Sequence, residues 1–154
     1  MAEGVFRKMV LDAGLSESPR TGVIIDSAGT TGYHAGDPPD PRGCRVAARA
    51  GVDLTRLRAR RVEVHDFEHF DMILAMDENN MAHLKKMCPP DYAHRIERFL
   101  DYAPSVPFSE LPDPYYGEEA DFEHCLDLVR TASAGLLEKV IAEHFPGHFP
   151  GNRS

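Results

Sequence analysis

Phe70-Asp71-Met72-Ile73-Leu74-Ala75-Met76-Asp77 is the stretch on which the reading of the fold turns. Met72 to Met76 is an unbroken apolar run of strand length, and Asp77 directly behind it is a helix-capping residue followed by a helical pattern to about Met87. Cys88-Pro89-Pro90 then breaks the helix. A short buried strand that hands over to a helix at its carboxyl end is half of a parallel βαβ unit.

Working outward, Gly22-Val23-Ile24-Ile25-Asp26-Ser27-Ala28 has the same profile. It is β-branched, and it ends in the turn-forming Ala28-Gly29-Thr30-Thr31-Gly32, so it predicts another buried parallel strand. Arg95 to Leu100 alternates apolar and charged residues, the pattern of an edge strand, while Val62 to His69 fits either element. Helical spacing predicts helices over Met1 to Ala13, with Gly14 as its stop, over Arg42 to Ala50, with Gly51 as its stop, and over about Asp121 to Glu143. In the last of these Phe122, Leu126, Val129, Leu136 and Val140 form the apolar stripe. The alternation predicts an α/β, doubly wound domain with a central parallel sheet over residues 1–144. The Phe-Pro-Gly repeat of residues 145–154 predicts a disordered tail. In such a fold ligands bind at the carboxyl ends of the strands, and Ser27, Asp77 and the loop around Asp113 all follow strand ends.

The 154 residues carry a net charge of -8, which argues against nucleic acid or an anionic membrane as the main partner. The dense basic run Arg56 to Arg61 has no interleaved aromatics and reads as a solvated face. No stretch approaches the ~18 apolar residues of a membrane span, and the N-terminus does not follow the signal-peptide pattern. Cys44, Cys88 and Cys125 are odd in number and lack a CxxC pair, so the expectation is a cytoplasmic protein with reduced thiols. His65 and His69 stand four apart without a third metal ligand at recognisable spacing. GxGxxG, GxxxxGK[ST] and GxSxG are all absent. Cys44, near a helix start after Arg42, is the best-placed thiol of the three, yet no glycine-rich cradle accompanies it.

Leu111-Pro112-Asp113-Pro114-Tyr115-Tyr116-Gly117 sets one acid between two prolines and two phenols after it. Pro114 holds Asp113 out of the α region, and Gly117 lets the chain turn away. Alone, this is either a tyrosine-rich surface turn or the seat of a general acid half shielded by aromatic rings.

Several motifs decide between the two when taken together. Met1-Ala2-Glu3-Gly4-Val5-Phe6-Arg7-Lys8, Asp26-Ser27-Ala28-Gly29-Thr30, Gly36 to Gly43, Phe70 to Asp77 and Asp113 to Gly117 resemble, in order and spacing, the low-molecular-weight protein tyrosine phosphatases, over nearly the whole chain to about Ile141. The resemblance implies a Rossmann-like α/β domain that hydrolyses phosphotyrosine through a phosphocysteine intermediate, with no metal or other cofactor. It implies that Asp113 is the general acid, that Tyr115 and Tyr116 form one pocket wall and Tyr33 and His34 the other, and that Ser27 supports the phosphate loop. Arg42 and Asp77 match supporting positions. The expected partner is a phosphotyrosine protein or an aryl phosphate.

The family's nucleophile lies in a C-x5-R-[ST] loop between its first strand and first helix, and the chain has no such sequence. The first helix also has no capping residue or strand ahead of it. The expectation is therefore a truncated phosphatase, inactive as written, whose sheet lacks a central strand and which aggregates or melts easily. Two alternatives stand beside it: a non-catalytic phosphotyrosine-binding module built on the same aromatic walls, and a relative of the arsenate reductases. The intact Asp113 to Tyr116 segment points away from the last, because protonating an aryl leaving group is what such an acid serves.

Overall fold

A computed structural model describes residues 1–148. Among these the chain runs α1 (Ala2–Asp12), α2 (Pro41–Arg49), α3 (Asp66–His69), β1 (Ile73–Ala75), α4 (Glu78–Met87), a 3-10 helix (Pro90–Arg95), β2 (Ile96–Arg98), a second 3-10 helix (Phe99–Tyr102) and α5 (Glu119–His144). The capping residues explain several boundaries. Asp77 Oδ1 accepts the Asn80 N–H at 2.7 Å to start α4, and Asp40 Oδ1 accepts the Arg42 N–H at 2.9 Å to start α2. Gly14 and Gly51, at φ +83° and +79°, carry the chain off α1 and α2 in the left-handed conformation that glycine alone adopts freely.

β1 and β2 pair in parallel with Ile73 opposite Ile96, and α4 is part of the crossover between them. The two-residue period of the strand splits its side chains between two cores. Met72, Leu74 and Met76 pack with α1, α2 and α5, while Ile73 and Ala75 pack with Phe67, Met81 and Leu84 of α3 and α4. The result is the expected α/β architecture, a parallel sheet with helices on both faces. The apolar stripe of α5 is buried as its spacing predicts, and each such large side chain contributes about 1.5–3 kcal/mol. No helix among the described residues is long and apolar enough to cross a membrane.

Gly22 to Ala28 departs from expectation: it belongs to no strand, and Ile24 is 42 % exposed rather than buried. Its amides turn elsewhere, the Val23 N–H to the Ser16 carbonyl and the Ser27 N–H to the Asp26 carboxylate. Pairing begins only at Gly29, as an isolated parallel bridge to Arg61. The reason is geometric. Between this segment and β1 lies a groove of about 380 Å³, rimmed by Val23, Ile25, Met72 and Leu74 and floored by Phe6 of α1 and Leu136 of α5. A second depression, on the α3 side, shares Ile24, Ile25, Asp26 and Phe70, so the gap opens towards both helix layers. A β-branched run forms a strand only when another strand lies within hydrogen-bonding distance.

Beyond α5, Phe145 and His148 are tied back to the fold. The Phe145 N–H donates to the Ile141 carbonyl, and His148 Nε2 lies 2.5 Å from the Ala13 carbonyl at the end of α1. The remainder of the tail expected to be disordered lies outside the described residues.

Candidate active site

Of the sequence-picked residues, Ser27 stands at the amino end of α1. Met1 occupies its N-cap position without a side-chain hydrogen bond, as the lack of a capping residue predicts, so the first turn leaves its amides and positive dipole end uncapped by a side chain. Glu3 in that turn is buried and accepts the Ser27 hydroxyl at 2.6 Å and Arg7 Nη1 at 2.8 Å. Arg7 also reaches Glu17 at 2.9 Å and the Ile25 carbonyl at 2.9 Å, which holds the Gly22 to Ala28 segment against α1. Ser27 is thereby fixed beside the helix start. Glu3 itself escapes a reading of the sequence, since an acid in a first turn looks like a solvated dipole partner; the Arg7 four residues on was the available signal.

The Asp113 loop approaches from the other side. Against the larger effect of its burial, Cys125, Glu3 and Cys44 raise the pKa of the Met1 amine, and Asp113 adds to burial in raising that of the Cys125 thiol. Burial lowers the pKa of that amine and raises those of the Cys88 and Cys125 thiols, so neither thiol is a ready nucleophile. Asp113 Oδ1 accepts the Tyr115 N–H at 3.0 Å, and the Leu111 N–H donates to the Met76 carbonyl at 2.8 Å, hanging the loop from the carboxyl end of β1. Arg42 Nη2 and Nη1 donate to the Tyr115 and Gly117 carbonyls. The rings do not half shield the acid as expected. Asp113 is exposed, Tyr116 is 95 % exposed, and the two tyrosines pack edge to face on each other at 4.9 Å between centroids. A ring that follows a proline-held acid by two or three residues is carried past the carboxyl group by the turn rather than folded over it.

The opposite wall comes from the loop after Gly29. His34 faces Tyr115 with 6.3 Å between ring centroids and Asp37 at 3.2 Å, while Tyr33 is 90 % exposed and contributes no ring contact. That loop is held by the basic run. Arg60 bonds Asp66 at 3.0 Å and Asp26 at 3.0 Å, its carbonyl accepts the Gly29 N–H, and Ala59 exchanges backbone bonds with Gly36 and Asp37. Arg60 is thus an internal tie, not part of a solvated face. Burial works against ionised Asp66, but the Arg60 guanidinium and the Glu63 amide outweigh it and hold the carboxyl below the ordinary range. Asp77 stays at its capping task.

The structure therefore holds Ser27 at the α1 start through Glu3 and separately links His34 to Tyr115 and Tyr115 to Asp113, with Tyr33 and Tyr116 exposed. A carboxyl group beside aromatic walls can move a proton to or from an aryl oxygen. A family profile described as low molecular weight phosphotyrosine protein phosphatase matches residues 1–145. A low molecular weight protein-tyrosine-phosphatase from Streptomyces coelicolor is 40% identical over 143 residues, covering 91% of this chain and 84% of the relative. The human low molecular weight phosphotyrosine protein phosphatase is 38% identical over 145 residues, 90% of this chain and 85% of the relative. The crystal structure of a protein tyrosine phosphatase from Entamoeba histolytica superposes with a TM-score of 0.85 at 35% identity, covering 92% of this chain and 87% of that one.

Proposed function

The chain belongs to the low molecular weight phosphotyrosine protein phosphatase family, and from that premise we propose that it carries the acid half of an aryl-phosphate hydrolase. The family acts on phosphotyrosine substrates. In the proposed reaction a cysteine thiolate attacks phosphorus as the P–O bond to the phenol breaks, and Asp113 gives its proton to the departing phenolate. Water then attacks the phosphocysteine, Asp113 takes the proton back, and inorganic phosphate and the thiolate are released. Tyr115 and His34 flank the ring of the substrate, with Tyr33 and Tyr116 at the rim. Ser27, anchored by Glu3, orders the approach to the phosphate.

None of Cys44, Cys88 and Cys125 stands in a C-x5-R-[ST] pattern, so this reading names no thiolate and no partner arginine among the 154 residues. We propose that the chain as given is inactive for that reason. A general acid contributes roughly 10²- to 10⁴-fold, and without a nucleophile and an anion site there is nothing for it to assist. The observation that supports the reading is the anchoring of Ser27 by Glu3 at the uncapped start of α1, beside an Asp113 loop whose Tyr115 bonds the acid and faces His34.

The test joins a strand and a C-x5-R-[ST] loop ahead of Met1 and measures phenyl phosphate hydrolysis beside the chain as given. Activity in the joined protein alone, falling about 10²-fold or more in Asp113→Asn, is the expected outcome. Equal hydrolysis by both proteins, or none by a folded joined protein, refutes it. The exposure of Tyr33 and Tyr116 favours a second reading, a non-catalytic phosphotyrosine-binding surface. Binding of a phosphotyrosine peptide by the chain as given, lost in Tyr116→Ala, would support that one.

A further inference from the structure

We infer that Arg42 is the positioning residue of the acid loop: its guanidinium grips the main chain on either side of Tyr116 and so sets where the Asp113 carboxyl group points. The inference rests on the phosphatase reading above.

A guanidinium offers five donors in a rigid plane, and Arg42 uses them on three partners at once. Nη1 donates to the Gly117 carbonyl, Nη2 to the Tyr115 carbonyl at 2.7 Å and to Asp40 Oδ2 at 2.8 Å, and Nε to Asp40 Oδ1 at 3.1 Å. Its flat face lies 4.8 Å from the centre of the Phe122 ring. The group is itself immobilised. Asp40 caps α2 through the Arg42 amide, and Phe122 is buried in the first turns of α5, so both elements fix the plane of the guanidinium.

The link to the acid runs through a single residue. The carbonyl of Tyr115 accepts from Arg42, while its N–H donates to Asp113 Oδ1 at 3.0 Å. Fixing Tyr115 from one side therefore fixes the carboxyl group on the other. Among the described residues, every hydrogen bond that reaches residues 113 to 117 from another element comes from Arg42; the Gly117 N–H bonds within the loop, to the Pro114 carbonyl. Without Arg42 the loop is held only by its own turn and by its two ends. A lysine cannot substitute, because one ammonium cannot hold two carbonyls and a carboxylate in a plane.

Two readouts test this. The first uses the chain as given. Chymotrypsin cleavage after Tyr116 rises about tenfold in Arg42→Ala and less in Arg42→Lys, while cleavage after the exposed Tyr33 stays unchanged as the internal control, because the rate follows the population of the opened segment. The second uses the joined enzyme of the preceding section and separates positioning from mere support. Phenolate is a poor leaving group that needs Asp113, whereas nitrophenolate departs nearly unaided. Arg42→Ala therefore lowers kcat/KM, which reports only the steps through release of the phenol and not the hydrolysis common to both substrates, by at least about tenfold on phenyl phosphate and little on nitrophenyl phosphate. Unchanged loop cleavage, or an equal fall on the two substrates, overturns the inference. Inactivity of the joined enzyme with Arg42 intact is a separate result, seen before any substitution, and removes the phosphatase reading together with the inference.

Discussion

Replacing Gly135 with alanine pits two effects of opposite sign against each other. Gly135 lies in the middle of α5, where an exposed glycine is worse than alanine by about 1 kcal/mol, so propensity alone predicts a more stable protein. The structure predicts the reverse. A Cβ built at Gly135 would stand 2.0 Å from the carbonyl oxygen of Tyr102 and 3.1 Å from its carbon. That oxygen is main chain, in the 3-10 helix that follows β2, and has no rotamer by which to withdraw. Relief requires α5 and that turn to separate by about 1 Å, against a helix whose Leu136, Ala132 and Val129 are already packed in the core. Overpacking of this kind costs about 1–3 kcal/mol, and a main-chain clash belongs at the upper end. The net expectation is a loss of about 1–2 kcal/mol. With a urea m-value of about 2 kcal/mol/M, the unfolding midpoint followed by circular dichroism falls by roughly 0.5–1 M with m unchanged. A midpoint equal to the parent's or higher would mean that helix propensity governs the site and that the close approach of α5 to Tyr102 is wrong.

Two other substitutions probe the site's supports. Because the folded-state pKa of Asp66 is lowered, its contribution is present above the unfolded value of about 3.9 and is lost as pH falls through the folded one. Asp66→Asn should thus lower stability at neutral pH by about 2 kcal/mol, with Asp26 still facing Arg60, and should flatten the acid limb of a midpoint-against-pH curve; an unchanged acid limb would show that the pair contributes nothing. Ser27→Ala withdraws a donor from buried Glu3 and should lower the melting midpoint by the equivalent of about 1–2 kcal/mol, and no change would show that Arg7 alone satisfies that carboxylate.

What the sequence made legible was what local chemistry decides. The Asp77 cap, the glycine stops and the α5 stripe depend on neighbours within a turn or two, and α4, α2 and α5 appear within a few residues of where they are expected. The alternation of Arg95 to Leu100 likewise marked β2, although its ends shortened to Ile96–Arg98. Residues 22–28 have the composition of a strand yet form none, because a strand is a property of two segments and composition reports on one. Asp113, Tyr115 and His34 were singled out through the motifs, and the Tyr115 amide and ring link the other two; the exposure of Asp113 was not foreseen, since ring placement after a proline turn is set by three dimensions rather than by order. Arg42 read as a helix-start residue because its partners at 115 and 117 lie more than seventy positions away. Arg60 was misread as part of a solvated face, because Asp26, one of the two carboxylates it ties, lies 34 positions away.

α1 acts as a spacer with a working end and a free end. Its amino end meets Ser27 and the surroundings of Asp113, while its carboxyl end receives His148, so at 1.5 Å per residue its eleven residues set the two regions about 17 Å apart. A reporter placed at His148 therefore sits at the end of α1 remote from Ser27. It can be attached there for immobilisation or single-molecule work without touching the contact between Ser27 and Glu3.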